Sequence, residues 1–182
     1  MKSFIKIPFG ICCLLLPIFT YAASISGYPC SGAPGNYHTN PDSSPGGFVA
    51  SAATVDSTVT IAIEASVCER ATVLEGVTIL DRAIVSGKST VRGEVVIKDQ
   101  ARVYGEAYLI NYSGSKLTVQ DDAKVFGHGF LQGSVIVGGT SQVFGWGKVI
   151  EFAQLLGESK VCGNGVVKNF DVLTDDSTKC VQ

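Results

Sequence analysis

From Val49 onward the chain carries an aliphatic residue at every sixth position. An α-helix repeats every 3.6 residues and a strand every 2, so neither produces this spacing. Arrays of six-residue units are typical of a parallel β-solenoid, whose short strands stack along one axis. The aliphatic positions are Val49, Val55, Ile61, Val67, Val73, Ile79, Val85, Val91, Ile97, Val103 and Leu109, then Val119, Val125, Leu131, Val137, Val143, Val149, Leu155, Val161 and Val167. The pattern predicts an all-β, single-stranded parallel β-helix.

The other positions of each six-residue unit fit this prediction. Two residues after the aliphatic position the chain favours Gly, Asn or Asp, which tolerate the positive φ of a sharp corner. Four residues after it stands a small residue or valine, which suits a narrow coil. Three units close one triangular coil, and stacked coils pair their backbone groups with the layers on either side. The array is long enough for about seven such layers.

Segments such as Ala83-Ile84-Val85-Ser86-Gly87 and Ala101-Arg102-Val103-Tyr104-Gly105 follow an A-x-V-x-G pattern. In this the chain resembles the bacterial hexapeptide-repeat family of left-handed β-helices. The resemblance covers roughly residues 49–169 and implies a left-handed coil. General connection rules favour right-handed crossovers, so a right-handed, bactofilin-like helix is the alternative.

The regions outside the array predict export and two caps. Residues 1–22 have a basic start, an apolar core and a small-x-small end, as a secretory signal peptide does, and are too interrupted for a membrane span. Residues 23–48 are rich in Gly, Pro and Ser and predict an irregular N-terminal cap. The solenoid is expected over 49–172, with an insert loop at 111–117, and a C-terminal cap or tail over 173–182. The expected location is the periplasm or the cell exterior.

Four cysteines follow the signal segment: Cys30, Cys68, Cys162 and Cys180. An even number in an exported chain suggests two disulfides. Pairs Cys30–Cys68 and Cys162–Cys180 would fasten one cap to each end of the solenoid, where strand edges need protection. This pairing is favoured, and the two other connectivities stay open.

Charge argues against one class of partner. Two of the 14 Lys and Arg residues lie in the signal segment, so 12 remain against 16 Asp and Glu, a net charge of −4. Nothing in that balance attracts nucleic acid.

Catalytic chemistry has one weak candidate. The resemblance implies either acyl transfer with a histidine base and coenzyme A, or a three-histidine zinc site of the γ-carbonic anhydrase type. The chain has only His38 and His128, which excludes three zinc-binding histidines within one sequence, and no metal or cofactor is expected. His128 is the only general-base candidate in the solenoid, and a four-residue insert is too short for the family's catalytic loop.

Ice binding is a further alternative that the sequence disfavours. Thr54, Thr72 and Thr90 are spaced to stack in one row. Their partners two residues on are Asp56, Leu74 and Arg92, so the double threonine ladder is absent.

One surface feature predicts a contact site. Folding the sequence at three six-residue units per layer, and allowing for the insert, brings six aromatic residues to one corner, together with Glu106 and His128. We call these six the aromatic edge: Tyr104, Tyr108, Phe126, Phe130, Phe144 and Trp146. Such rings either stiffen the solenoid as stacking ladders or form a contact patch for a partner protein, a second copy or a sugar.

The sequence therefore predicts an exported, non-enzymatic β-solenoid that acts as a structural or binding module at the cell envelope or outside the cell. The alternative is a divergent hexapeptide-repeat acyltransferase that works as a trimer, with His128 in a cleft between neighbouring coils.

Overall fold

The computed structural model describes residues 29–112 and 114–182 of the 182-residue chain. The predicted signal peptide, residues 1–22, lies outside the described residues. Within the described ranges no helix is both long enough and apolar enough to cross a membrane.

Three sheets form the walls of a parallel solenoid, and the chain visits sheets A, B and C in turn. Sheet A contains β1 (Gly35–Thr39), β2 (Pro45–Ala50), β5 (Ser66–Val67), β8 (Ile84–Val85), β11 (Arg102–Val103), β14 (Lys124–Val125), β17 (Gln142–Val143), β20 (Lys160–Gly163) and β23 (Thr178–Val181). Sheet B contains β3 (Thr54–Val55), β6 (Thr72–Val73), β9 (Thr90–Gly93), β12 (Tyr108–Asn111), β15 (Phe130–Gly133), β18 (Lys148–Glu151) and β21 (Val166–Val167). Sheet C contains β4 (Thr60–Ile61), β7 (Thr78–Ile79), β10 (Val95–Ile97), β13 (Leu117–Val119), β16 (Ile136–Val137), β19 (Gln154–Leu155) and β22 (Val172–Leu173). The predicted all-β parallel solenoid of about seven turns is confirmed.

The register between layers is the one that the sequence spacing predicts. Val67 pairs with Val85, three six-residue units further along the chain, whereas Val103 pairs with Val125 across a layer lengthened by the insert. The extra residues lie in the loop between β12 and β13. The insert therefore bulges from one corner and leaves the stacking of the walls unchanged.

The interior of the rod is a column of aliphatic side chains that the surrounding walls exclude from water. From Ile61 to Val167 the repeating aliphatic residues have no exposed surface. The position four residues later is buried as well from Ala65 to Ala107 and from Ala123 to Gly165, which suits its small residues and valines. Where that residue is polar it is hydrogen-bonded: the hydroxyl oxygens of Ser141 and Ser159 lie 3.1 Å apart, and the hydroxyl of Ser89 donates to the carbonyl of Ser86 at 2.7 Å.

The N-terminal cap is more regular than the sequence predicts. Strands β1 and β2 form an antiparallel hairpin, and β2 also pairs with β5, so the hairpin continues sheet A. The chain reverses at Asn40–Ser44, where the backbone N–H and hydroxyl of Ser44 both donate to the carboxylate of Asp42. A short turn segment, Pro29–Gly32, with left-handed backbone angles at Cys30 and Ser31, precedes the hairpin.

The C-terminal tail forms one more strand of the rod. Strand β23 pairs in parallel with β20, and Lys179 occupies the register position of the inward Val161. The ammonium group of Lys179 lies 3.8 Å from the carboxylate of Asp171. A charged residue at this position ends the aliphatic column.

Both predicted disulfides are present: Cys30–Cys68 and Cys162–Cys180. The first joins the N-terminal segment to the second layer, and the second joins the last two strands of sheet A. Each bond therefore fastens one end of the rod, as the position of the cysteines suggests.

Candidate binding edge

The aromatic edge follows the corner between sheets A and B in three successive layers. In each layer the chain leaves a strand of sheet A, turns, and enters a strand of sheet B. The turns are made at Gly105, Gly127 and Gly145, with φ angles of 76°, 63° and 62°. Glycine adopts these left-handed angles without the steric cost that a side chain would bring. The repeated turn places corresponding side chains directly above one another.

The ring column at the end of sheet A is a continuous stack. The ring centroids of Tyr104 and Phe126 lie 4.9 Å apart with planes 2° from parallel, and those of Phe126 and Phe144 lie 5.0 Å apart at 4°. These spacings follow the distance between paired strands, about 4.8 Å. A stacked pair of this kind contributes about 0.5–1.5 kcal/mol beyond the area it buries.

A second ring column begins sheet B on the other side of the turn. The rings of Tyr108 and Phe130 are stacked with centroids 5.8 Å apart. The next residue in this column is Lys148, which pairs with Phe130 in the register of the sheet. Tyr108 is 37% exposed.

Between the two ring columns, the corner itself carries a chain of polar contacts that ends on the tryptophan. The ammonium of Lys88 lies 3.3 Å from the carboxylate of Glu106, and Nδ1 of His128 lies 3.5 Å from the other oxygen of that carboxylate. The imidazole of His128 stacks on the indole of Trp146 at 4.0 Å. Trp146 is 58% exposed, so it offers the largest open aromatic surface of the edge.

The structure brings together all six residues that the sequence register assigned to one edge. It also brings His128 and Glu106 into contact at the same corner, in the geometry of a base beside a carboxylate.

Both disulfides lie in the same column as the Tyr104–Phe126–Phe144 stack. Register places Cys68 two layers before Tyr104 and Cys162 one layer after Phe144. The aromatic edge is therefore bounded at each end by a covalent bond.

A second exposed ring pair lies at the corner between sheets B and C. Phe152 and Phe170 are stacked with centroids 5.1 Å apart, and both are more than half exposed. At the same corner, hydrogen bonding to Glu75 at 3.0 Å raises the pKa of Arg92, whose guanidinium lies over the ring of Tyr112.

His38, the other histidine, has a structural contact that the sequence did not reveal. Its Nε2 lies 2.9 Å from the carbonyl oxygen of Val59, and the amide oxygen of Asn40 accepts a hydrogen bond from the N–H of Ile61 at 2.8 Å. These two side chains of the hairpin satisfy backbone groups at the N-terminal end of the rod. The segment has no periodicity, so only its turn residues could have signalled this role.

In the described parts of the chain, no group of three or more His, Cys, Asp or Glu side chains is placed to hold a metal ion.

Comparison of the chain with protein-family models, with curated proteins and with solved structures found no match.

Proposed function

We propose that the protein is an exported, non-enzymatic β-solenoid of the hexapeptide-repeat type that acts as a binding module at the cell envelope or outside the cell. Its contact surface is the aromatic edge, and the classes of partner are a protein, a second copy of the chain, or a carbohydrate. The observation that carries the proposal is the in-register ring stack, with Trp146 and Tyr108 open to solvent beside it.

Two properties of the edge support a binding role. Aromatic side chains are enriched at protein interfaces because they bring large contact area at low cost in conformational entropy. The rings here are held by a hydrogen-bonded wall and by one another, so binding would order few additional groups.

Export is supported by the disulfides, which persist in oxidising compartments. The direct test is N-terminal sequencing of the mature protein, where we expect the chain to begin after Ala22. A mature protein that still begins at Met1 would contradict cleavage of a signal peptide.

The proposal is tested by Phe126→Ser with Phe144→Ser. We expect this variant to keep its β-solenoid circular-dichroism spectrum and to lose association, measured both as solution mass by light scattering and as co-sedimentation with the envelope fraction of the cells that make it. The matched control is Phe152→Ser with Phe170→Ser, which removes an equally stacked pair from another corner. Equal association by wild type and both variants would overturn the proposal.

Acyl transfer is the second candidate, and the contact between His128 and Glu106 is the observation that favours it. A carboxylate beside a histidine orients the ring and supports its action as a base. The mechanism requires a trimer with His128 facing a cleft between coils. A trimeric mass, with acyl transfer from a thioester donor that His128→Ala abolishes, would replace the binding proposal; a monomer would exclude it.

A further inference from the structure

Sheet A carries a column of basic side chains immediately beside the aromatic edge. Arg102, Lys124 and Lys160 occupy the first position of successive strands, interrupted only by Gln142. Among the described residues, no strand of sheet A contains Asp or Glu, although the predicted mature chain has a net charge of −4. The strands of this wall therefore carry basic charge only, whereas the exposed Asp122 and Glu158 lie at the preceding corner, two residues before Lys124 and Lys160.

These basic groups are not used by the fold. None of the ion pairs among the described residues includes Arg102, Lys124 or Lys160. Arg102 and Lys160 are exposed and Lys124 is partly exposed. A charge that is neither buried nor paired is available for an external anion.

The basic column and the ring column form one two-row surface. Arg102 precedes Tyr104 by two residues and Lys124 precedes Phe126 by two, so each pair points outward from the same wall, about 7 Å apart. A shallow open depression of about 230 Å³ lies between the rows and is lined by Ile84, Ser86, Arg102, Tyr104 and Lys124. A cation and a ring occur together in two successive layers, Arg102 with Tyr104 and Lys124 with Phe126, whose rings lie 4.9 Å apart. Phe144 continues the row of rings at 5.0 Å, beside Gln142.

We propose that this surface binds an acidic polysaccharide that lies along the rod axis. Its carboxylates pair with Arg102, Lys124 and Lys160, and the apolar C–H groups of its sugars pack against the outward edges of the stacked rings of Tyr104, Phe126 and Phe144. A linear polymer with a carboxylate on each sugar matches a surface on which Arg102 and Lys124 stand beside Tyr104 and Phe126 in successive layers, at a spacing close to one sugar residue. The inference rests on the proposed function and names the ligand class of the same edge.

The charge arrangement favours a repeating polymer over a folded acidic protein, because the stacked strands place the cations in one straight row, with Lys124 one layer after Arg102 and Lys160 two layers further on. Paired guanidinium and carboxylate groups form strong charge-assisted hydrogen bonds, and several weak contacts in register add up along one chain.

The test measures binding of the mature protein to polygalacturonate, with dextran as the neutral polymer and poly-glutamate and DNA as other polyanions, by isothermal titration calorimetry. We expect binding to polygalacturonate that weakens with salt and is absent for dextran. Arg102→Gln with Lys124→Gln should weaken it by about tenfold or more. The matched control, Lys116→Gln with Lys168→Gln, removes two exposed lysines from the corner between sheets B and C and should leave binding unchanged.

Three results would overturn the inference: no binding to polygalacturonate, equal binding to poly-glutamate or DNA, or equal loss in the two double variants. If polygalacturonate fails while Phe126→Ser with Phe144→Ser still abolishes envelope association, the inference falls and the proposed function stands. If that aromatic variant also changes nothing, both fall.

Discussion

At the scale of single residues, the corners of the rod decide which side chains the fold accepts. Gly87 has a φ of 75°, and a Cβ added there would lie 2.5 Å from both the N and O atoms of Gly105 in the next layer. Gly114, in the insert loop, has a φ of 52° and nothing within 4 Å of such a Cβ. Both residues have a left-handed backbone. Only at Gly87 does the backbone of the next layer occupy the space that a Cβ would need.

We expect Gly87→Ala to destabilise the protein more than Gly114→Ala. Each alanine incurs about 1–2 kcal/mol for a left-handed backbone, and only Gly87→Ala must also displace the backbone of a neighbouring layer. Urea unfolding followed by circular dichroism measures the difference. Equal midpoints for the two variants would contradict the close approach between layers.

Two aspartates predict how the fold responds to acid. Hydrogen bonds from the side chain and then the backbone of Ser44 lower the pKa of Asp42 below its ordinary value, and those of Thr58 do the same for the pKa of Asp56. A depressed pKa means that the folded state favours the charged form. Each ionised carboxylate therefore stabilises the folded state above about pH 4, and this contribution is lost as the pH falls further, toward the folded-state pKa.

The melting temperature of the wild type should accordingly fall between pH 4 and pH 2.5. Asp42→Asn with Asp56→Asn keeps an oxygen acceptor in each turn and removes the titration, so its melting temperature should depend less on pH in that window. Thermal melts by circular dichroism make the comparison; parallel pH profiles for the two proteins would count against these turns as the cause.

At the scale of elements, the hairpin of β1 and β2 determines how the rod begins. Parallel strands at an open end expose unpaired N–H and C=O groups, and the hairpin supplies partners for some of them. Asn40 is 7% exposed and joins the hairpin to the rod. Its amide oxygen accepts a hydrogen bond from the N–H of Ile61 in the rod, and its amide nitrogen donates to the hydroxyl of Ser44 in the hairpin turn at 3.1 Å.

Asn40→Ala should destabilise the N-terminal end by about 1–3 kcal/mol, because it leaves the N–H of Ile61 unpaired. Asn40→Asp keeps the acceptor and should cost less. Amide hydrogen exchange at Ile61 is the specific readout, since it should accelerate in Asn40→Ala. The exposed Asn36→Ala is the control, and the same acceleration there would show that the effect is not due to this hydrogen bond.

The elements differ in how well the sequence predicts them. The solenoid strands recur with every six-residue unit, so Val49–Val167 could be assigned from the aliphatic column alone. The hairpin strand Gly35–Thr39 occurs once and has no periodic neighbour, and only the turn formers Asn40–Ser44 mark it. Left-handedness stays a prediction of the resemblance, because strand order and register are the same for either hand.

At the scale of the whole molecule, the candidate site could be predicted because it depends on register. Phe126 lies one layer after Tyr104, in the layer step that contains the insert, and Phe144 lies one regular layer after Phe126. Those spacings alone place the three rings in one column. The contact of His128 with Glu106, and the hydrogen bonds of His38 and Asn40, depend on side-chain positions that spacing does not specify. Register accounts for the columns, and packing accounts for the individual contacts.

The ends of the rod should depend on their disulfides more than its middle does. Every residue of β23 is exposed, so strand pairing and Cys162–Cys180 are the main contacts that hold it in place. We expect Cys162→Ser with Cys180→Ser to remove hydrogen-exchange protection from β23, while β11, β14 and β17 stay protected, because each layer contacts only its neighbours. Exchange followed by mass spectrometry tests this, and loss of protection throughout the rod would contradict it.

The shared column of the two disulfides has a mechanical consequence. A force that separates the layers at either end meets covalent bonds along the corner between sheets A and B, whereas on the opposite wall, sheet C, it meets hydrogen bonds. The rod should therefore peel open from sheet C and pivot about the disulfide-bearing corner. Under load, the rings between those two bonds would be among the last parts of the molecule to come apart.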